Sequence, residues 1–155
     1  MYPTNPRVFE GAFASTNPRA TTLAGGARLR AAEPDGLAVS RFGWADLSTG
    51  RASNERTSPT QLLGFVLPVI AGWQRVRIDL GRVWVRPGLE ITMCSRGDFY
   101  ARFANGAQAG QRVYASIVDG GAISGYAADA ELTPWSVVTG CGPGSLAVIS
   151  TWTNS

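Results

Sequence analysis

Three carboxylates, Asp98, Asp129 and Glu131, are the residues of this chain best suited to general acid–base work of the kind that cleaves glycosidic bonds. Nothing in the sequence around them marks a raised pKa or a cleft, and such acids are mostly surface charges. Composition closes most other catalytic routes. There is no histidine, and all 14 basic residues are arginines. A Ser-His-Asp or Cys-His nucleophile lacks its base. A Walker phosphate loop and a Schiff base lack their lysine. The usual zinc sites need histidine or several cysteines, and the chain has two, Cys94 and Cys141. These residues point to binding rather than catalysis, with no cofactor, no metal and no small-molecule substrate.

The tripeptide Arg96-Gly97-Asp98 has the sequence that adhesion ligands present on loops. Here it separates two alternating stretches, EITMCS and DFYARF, and reads as the turn of a hairpin, where Asp and Gly are favoured. Arg75, Arg77, Arg82, Arg86, Arg96, Arg102 and Arg112 fall on neighbouring strands, with Trp84 and Tyr100 as possible stacking partners for nucleic acid. Asp79, Glu90 and Asp98 interrupt any phosphate track, so a solvated outer face is the stronger reading. Charge is segregated along the chain. Residues 1–30 carry +3, residues 31–112 carry +3, and residues 113–155 carry −3. A partner or a neighbouring copy could use that asymmetry.

The elements that must position these residues are strands. No segment shows a helical run of apolar residues, and 19 glycines with 9 prolines suit a fold rich in turns. GLAVSRFGW (36–44), QRVRIDL (74–80), RVWVR (82–86) and QRVYASI (111–117) alternate apolar and polar residues. LLGFVLPVI (62–70) reads as a strand covered on both faces. QRVRIDL puts Val76, Ile78 and Leu80 on one face and Arg75, Arg77 and Asp79 on the other. In EITMCS the inner face is Ile91 and Met93, and DFYARF puts Phe99, Ala101 and Phe103 on one face. VDGGAIS (118–124) carries the Asp-Gly signal of a tight hairpin. WSVVTG and SLAVIST flank a glycine loop at Cys141. The expected fold is all-β: one β-sandwich or jelly-roll-like barrel of about 8–10 short strands.

At 155 residues the chain suits one domain, comprising 31–155. Residues 1–30 read as an extended basic arm. Pro3, Pro6 and Pro18 interrupt it, and Arg7, Phe9, Phe13, Arg19, Arg28 and Arg30 are its candidate contacts with a partner or a neighbouring copy. No secretory signal is visible, and the longest apolar run, residues 62–73, is too short to span a bilayer and contains Pro68. No membrane is expected, and two distant cysteines read as free thiols of a protein made in a cytoplasm.

Several segments together resemble the cement, or head decoration, proteins of tailed bacteriophages. They are GLAVSRFGWADLSTG, LLGFVLP followed by GWQR, RPGLEITMCSRGDFYARF and AGQRVYASIVDGGAISGY, with WSVVTG and LAVIS closing the pattern over about 36–151. The matching positions are Phe42, Trp44, Phe65, Pro87, Gly88, Gly97, Asp98, Phe99, Tyr100, Val113 and Tyr114. The resemblance implies a non-enzymatic β domain on the exterior of the virion, assembled in the host cytoplasm. Its partners would be the major capsid protein and other copies of itself, as dimer or trimer. It also implies that Gly97-Asp98 is a structural step. A tail or head-completion protein, or a small nucleic-acid-binding barrel, are the alternatives.

Overall fold

The computed structural model describes residues 10–14, 20–23, 28–68, 76–79 and 82–152. The protein is all-β and forms one domain. Its strands are β1 (Ala20–Thr22), β2 (Leu29–Ala31), β3 (Leu37–Ala38), β4 (Phe42–Asp46), β5 (Arg51–Ser53), β6 (Leu62–Val66) and β7 (Val76–Asp79). They continue with β8 (Arg82–Val85), β9 (Glu90–Ile91), β10 (Met93–Phe103), β11 (Arg112–Ser116), β12 (Ala122–Ser124), β13 (Ala130–Thr139) and β14 (Ser145–Ser150). The described strands outnumber the expected eight to ten because several, such as β3 and β9, are two-residue pairings too short to show alternation.

Five strands close on themselves. In the order β12-β11-β13-β14-β10 each pairs with the next, and β10 returns to β12 through Phe103 and Ala122. From β10 the sheet continues through β6, β4, β5, β2 and β9, and a second sheet, β3-β8-β7, lies beside it. Inward-facing Phe99, Ala101, Phe103, Val113, Ala115, Trp135, Val137, Ala147 and Ile149 fill the barrel. A second core holds Leu23, Leu29, Leu37, Val66, Val85 and Met93.

Strands β4, β6 and β10 form the wall between the two cores. Phe42, Trp44, Phe65 and Cys94 face the barrel core, while Ala45, Val66 and Met93 belong to the second. Covering both faces explains why β6 reads as a nearly continuous apolar run. Phe42, Phe65, Phe99 and Trp135 meet in the barrel, with Phe65 stacked on Phe99 at 4.5 Å and Phe42 edge-on to Trp135 at 5.4 Å. Such pairs add about 0.5–1.5 kcal/mol each beyond the area they bury.

One sequence expectation gives way. Arg96-Gly97-Asp98 is not a hairpin turn, because it lies inside the unbroken 11-residue strand β10. Gly97 has φ 151°, and the pairing of β10 with β1 shifts register between Thr21 and Thr22. The glycine therefore bends a continuous strand rather than reversing it. Ile78 stands on the apolar face of its alternating segment and is 72% exposed. It pairs with Val83, which packs on the second core, and β7 is an edge strand of its sheet.

Candidate interaction surface

The N-terminal segment, where described, lies along β10. Gly11 donates its N–H to the Tyr100 carbonyl at 2.7 Å, Tyr100 donates to Ala12 at 3.0 Å, and Ala14 donates to Asp98 at 3.0 Å. Phe13 bridges to Phe99, with ring centroids 5.3 Å apart, and stays 37% exposed. Glu10 accepts an ion pair from Arg102 at 3.4 Å, and its carbonyl accepts the Ser40 hydroxyl at 2.9 Å. Arg28 and Arg30 both reach Glu90, at 3.8 and 3.9 Å, and Arg30 also donates to the Gly88 carbonyl at 2.8 Å. Arg7, Phe9 and Arg19 lie outside the described residues.

The positions that carry the family resemblance divide by role. Phe42, Trp44, Phe65, Phe99 and Val113 are buried in the barrel core. Pro87 and Gly88 make the turn between β8 and β9, with Gly88 at φ 84°. Gly97 is buried, accepts the Trp135 indole N–H at 2.9 Å and donates to the Thr151 hydroxyl at 3.0 Å. Asp98 is half-buried and accepts the Ser150 hydroxyl. An aspartate held this way, behind a buried glycine, is not presented as an adhesion loop presents it. Tyr100 and Tyr114 are half-buried, and Tyr114 points away from the core that its neighbours Val113 and Ala115 enter.

The carboxylates considered for catalysis go to separate partners. Asp98 holds Ser150. Glu131 pairs with Arg56 at 2.8 Å and accepts the indole N–H of the fully buried Trp44 at 3.2 Å. Asp129 is exposed, with no ion pair among the described residues. Among the described residues no group of three or more histidine, cysteine or acidic side chains could hold a metal ion. Both cysteines are free, and burial pushes the Cys94 thiol up to about 11.

Asp119, in the β11–β12 turn, sits between two arginines. Its carboxylate is 3.7 Å from Arg41 and 3.2 Å from Arg82, and Arg41 also donates to its carbonyl at 2.7 Å. Burial opposes the charge on Asp119. The Gly121 N–H and the two guanidiniums outweigh it and hold the carboxyl below its ordinary value. Burial, together with repulsion from Arg82, lowers Arg41 against the pull of Asp119 and Glu10.

The expected acidic end of the chain is therefore largely dissolved by folding. Arg41, Arg82 and Arg56 cross from the first part of the chain and neutralise Asp119 and Glu131. Of the other basic side chains, Arg96 lies over Trp152 at 5.7 Å, Arg102 pairs with Glu10, and Arg112 makes a long 3.5 Å contact to the Thr133 carbonyl. No continuous arginine track is seen among the described residues.

What pairing leaves is an apolar patch on the outside of the barrel. Ile123 and Leu132 stand directly opposite Tyr114, on the strands to either side of it. Tyr126 packs edge-on to Tyr114 at 6.1 Å. Tyr126 is 80% exposed and Leu132 47%. A single exposed apolar residue needs no explanation, but a cross-strand row capped by an aromatic edge is a surface suited to contact. Alternation in QRVYASI marks Tyr114 as outward-facing; the row itself appears only once the three strands are in register.

A sequence model of the family described as XM1 gp53 minor capsid protein matches residues 3–150 of the chain. No curated protein matches it.

Proposed function

Because the chain belongs to the XM1 gp53 minor capsid protein family, it is a structural component of a phage virion, and we propose that it acts there as a decoration protein on the outer surface of the assembled head. The observation that carries this reading is the match to a minor capsid family over residues 3–150. The build of the molecule suits it. Two cores share one wall, so a small domain is braced throughout, and its polar groups are spent on internal ties such as those of Asp119 and Glu131.

In this reading the chain binds the major capsid protein between capsomers and resists the pressure of packaged DNA. Each contact can be weak, because many copies on one shell act together. The N-terminal arm supplies part of the contact. Arg7, Phe9 and Arg19 are its first candidates, since Phe13 already packs on Phe99 and Arg28 and Arg30 already reach Glu90.

The test is co-sedimentation with expanded capsids of the same phage that lack this protein, at low and moderate salt. Saturable binding at a fixed ratio to the major capsid protein is expected, and that ratio reports the symmetry of the attachment sites. Absence of binding by the folded protein would transfer the role to a tail or head-completion position. Deleting residues 2–9 removes Arg7 and Phe9, and should weaken capsid binding several-fold. Unchanged binding would remove this part of the arm from the contact.

A further inference from the structure

We propose that Arg30 and Arg51, side by side on β2 and β5, take the carboxylate of an acidic side chain presented by the capsid partner. That the partner is the capsid rests on the decoration reading. The carboxylate site itself is a property of the free protein.

Strand register sets the pair. Arg30 stands beside Arg51, Glu90 opposite Arg30, and Asp46 opposite Arg51. Partners in register share a face of the sheet, and the alternate residues Leu29, Ala31, Ala45 and Ala52 enter the second core. Asp46, Arg51, Arg30 and Glu90 therefore form one row across β4, β5, β2 and β9, on the face turned away from that core. The two cations in its middle are on strands about 4.8 Å apart. Both reach Gly88 in the β8–β9 turn. Arg30 Nη1 donates to the Gly88 carbonyl at 2.8 Å, and a Cβ on Gly88 would lie 3.9 Å from Arg51 Nη1. Arg86, two residues earlier in the same turn, is exposed.

Among the described residues little offsets this crowding of like charge. Arg51 Nη1 is buried without a hydrogen-bond partner, and Arg51 makes no ion pair among the described residues. Asp46, opposite it, commits Oδ1 to the Ser48 N–H at 2.9 Å and the Ser48 hydroxyl at 2.6 Å. Glu90 stands 3.9 Å from Arg30 and 3.8 Å from Arg28, too far for a hydrogen bond. Buried polar groups are nearly always bonded, so an orphaned guanidinium nitrogen asks for an acceptor. The Arg51 side chain as a whole is only half-buried, and turning its fork toward a partner forfeits no hydrogen bond seen among the described residues. A carboxylate matches that fork in two parallel bonds. It also suits the row better than a run of phosphates does. Asp46 and Glu90 flank the arginines, so successive phosphates crossing the strands would meet a carboxylate on either side. A single acidic side chain set over the middle of the row meets Arg51 and Arg30.

The first experiment replaces sodium chloride by sodium acetate at constant ionic strength and follows the arginine Nε–H signals of the full chain by NMR. The Arg51 signal is the one missing from Arg51→Met. A saturable shift of the Arg51 and Arg30 signals is expected. Signals indifferent to acetate overturn the site, and signals moved by inorganic phosphate alone overturn the carboxylate and give the arginines to nucleic acid. The second experiment measures Arg51→Met itself, which keeps much of the stem and removes the fork. No bond of that fork is lost in the free protein, so its Tm should equal or exceed that of wild type. Capsid co-sedimentation should nevertheless weaken about 10-fold or more, the loss of a charge-assisted two-bond contact. A residue that only braces the fold would do the reverse. A Tm below wild type, or capsid binding that ignores the substitution, overturns the proposal. Wild type that fails to bind capsids overturns the decoration reading instead, and the acetate titration still decides the carboxylate site.

Discussion

Replacing Asp119 by Asn should cost stability in a way that depends on pH and on Arg82. The asparagine keeps the shape and can still accept the Gly121 N–H, bonded at 2.9 Å in the native protein. It removes the negative charge between Arg41 and Arg82. The Arg41 side chain is only 18% exposed, so it is left partly desolvated and facing a second cation. Removing one partner of a fully buried pair costs about 3–5 kcal/mol. Asp119 itself is 42% exposed, so solvent screens much of its charge, and a loss of about 1–2 kcal/mol is the fitting magnitude. In a chain of this size that lowers Tm by roughly 2–8 °C. Because folding lowers the pKa of this carboxyl, its contribution is present above the unfolded value of about 3.9 and lost as pH falls through the folded value. Urea unfolding of both proteins should therefore show a constant gap from pH 6 to 8 that closes in acid. Arg82→Met supplies the sharper check. In the native background it removes an ion pair and destabilises, whereas beside Asp119→Asn it removes a repulsion and stabilises. Equal stability of Asp119→Asn and wild type at pH 7, or an Arg82→Met effect of one sign in both backgrounds, would refute the electrostatic account of this clamp.

Gly120→Ala should be among the most damaging changes to this turn. Gly120 has φ 73°, and a Cβ there would lie 2.0 Å from the Phe42 carbonyl oxygen, so a loss of about 2–4 kcal/mol is expected in thermal or urea unfolding. The two thiols should differ in reactivity. With its thiol near 11, Cys94 is about 0.1% thiolate at pH 8 and is also buried, so Ellman's reagent should titrate one thiol quickly, Cys141, and the second only after unfolding. Two equally fast thiols in the folded protein would contradict the placement of Cys94 in the wall between the cores.

The sequence discloses local periodicity well. Phe99, Ala101 and Phe103 alternate with polar residues and do line one core, and the run around Phe65 is covered on both faces. What it does not disclose is whether a glycine between two alternating stretches reverses the chain or bends it. Gly97 carries no local mark that separates the two, and the outcome depends on its bonds to Trp135 and Thr151, 38 and 54 residues away. The electrostatic partners are equally remote. Arg41 meets Asp119 across 78 positions and Arg56 meets Glu131 across 75, so no pattern within a window of ten residues could pair them. Ile78 obeys the alternation of its strand and is exposed, whereas Leu37 and Ala38 on the other edge strand of that sheet are buried, a difference set by the assembled sheets rather than by the segment.

That remoteness changes what the charge of this chain means. Read linearly, +3 in the first 30 residues and −3 in the last 43 invite an electrostatic contact between the two ends. Folding spends most of the acidic end on Arg41, Arg56 and Arg82, leaving an apolar row on the barrel. In the proposed reading its longer-range attraction for a partner comes from the arm, and its short-range adhesion from side chains such as Tyr126 and Leu132. The two act differently under salt. Attraction between exposed charges fades as the screening length falls to about 10 Å at 0.1 M, whereas apolar contact does not. Comparing capsid binding at low and moderate salt therefore apportions it between the arm and the apolar surface. If loss of residues 2–9 abolishes the salt-dependent share alone, the arm is an electrostatic guide laid over an apolar grip.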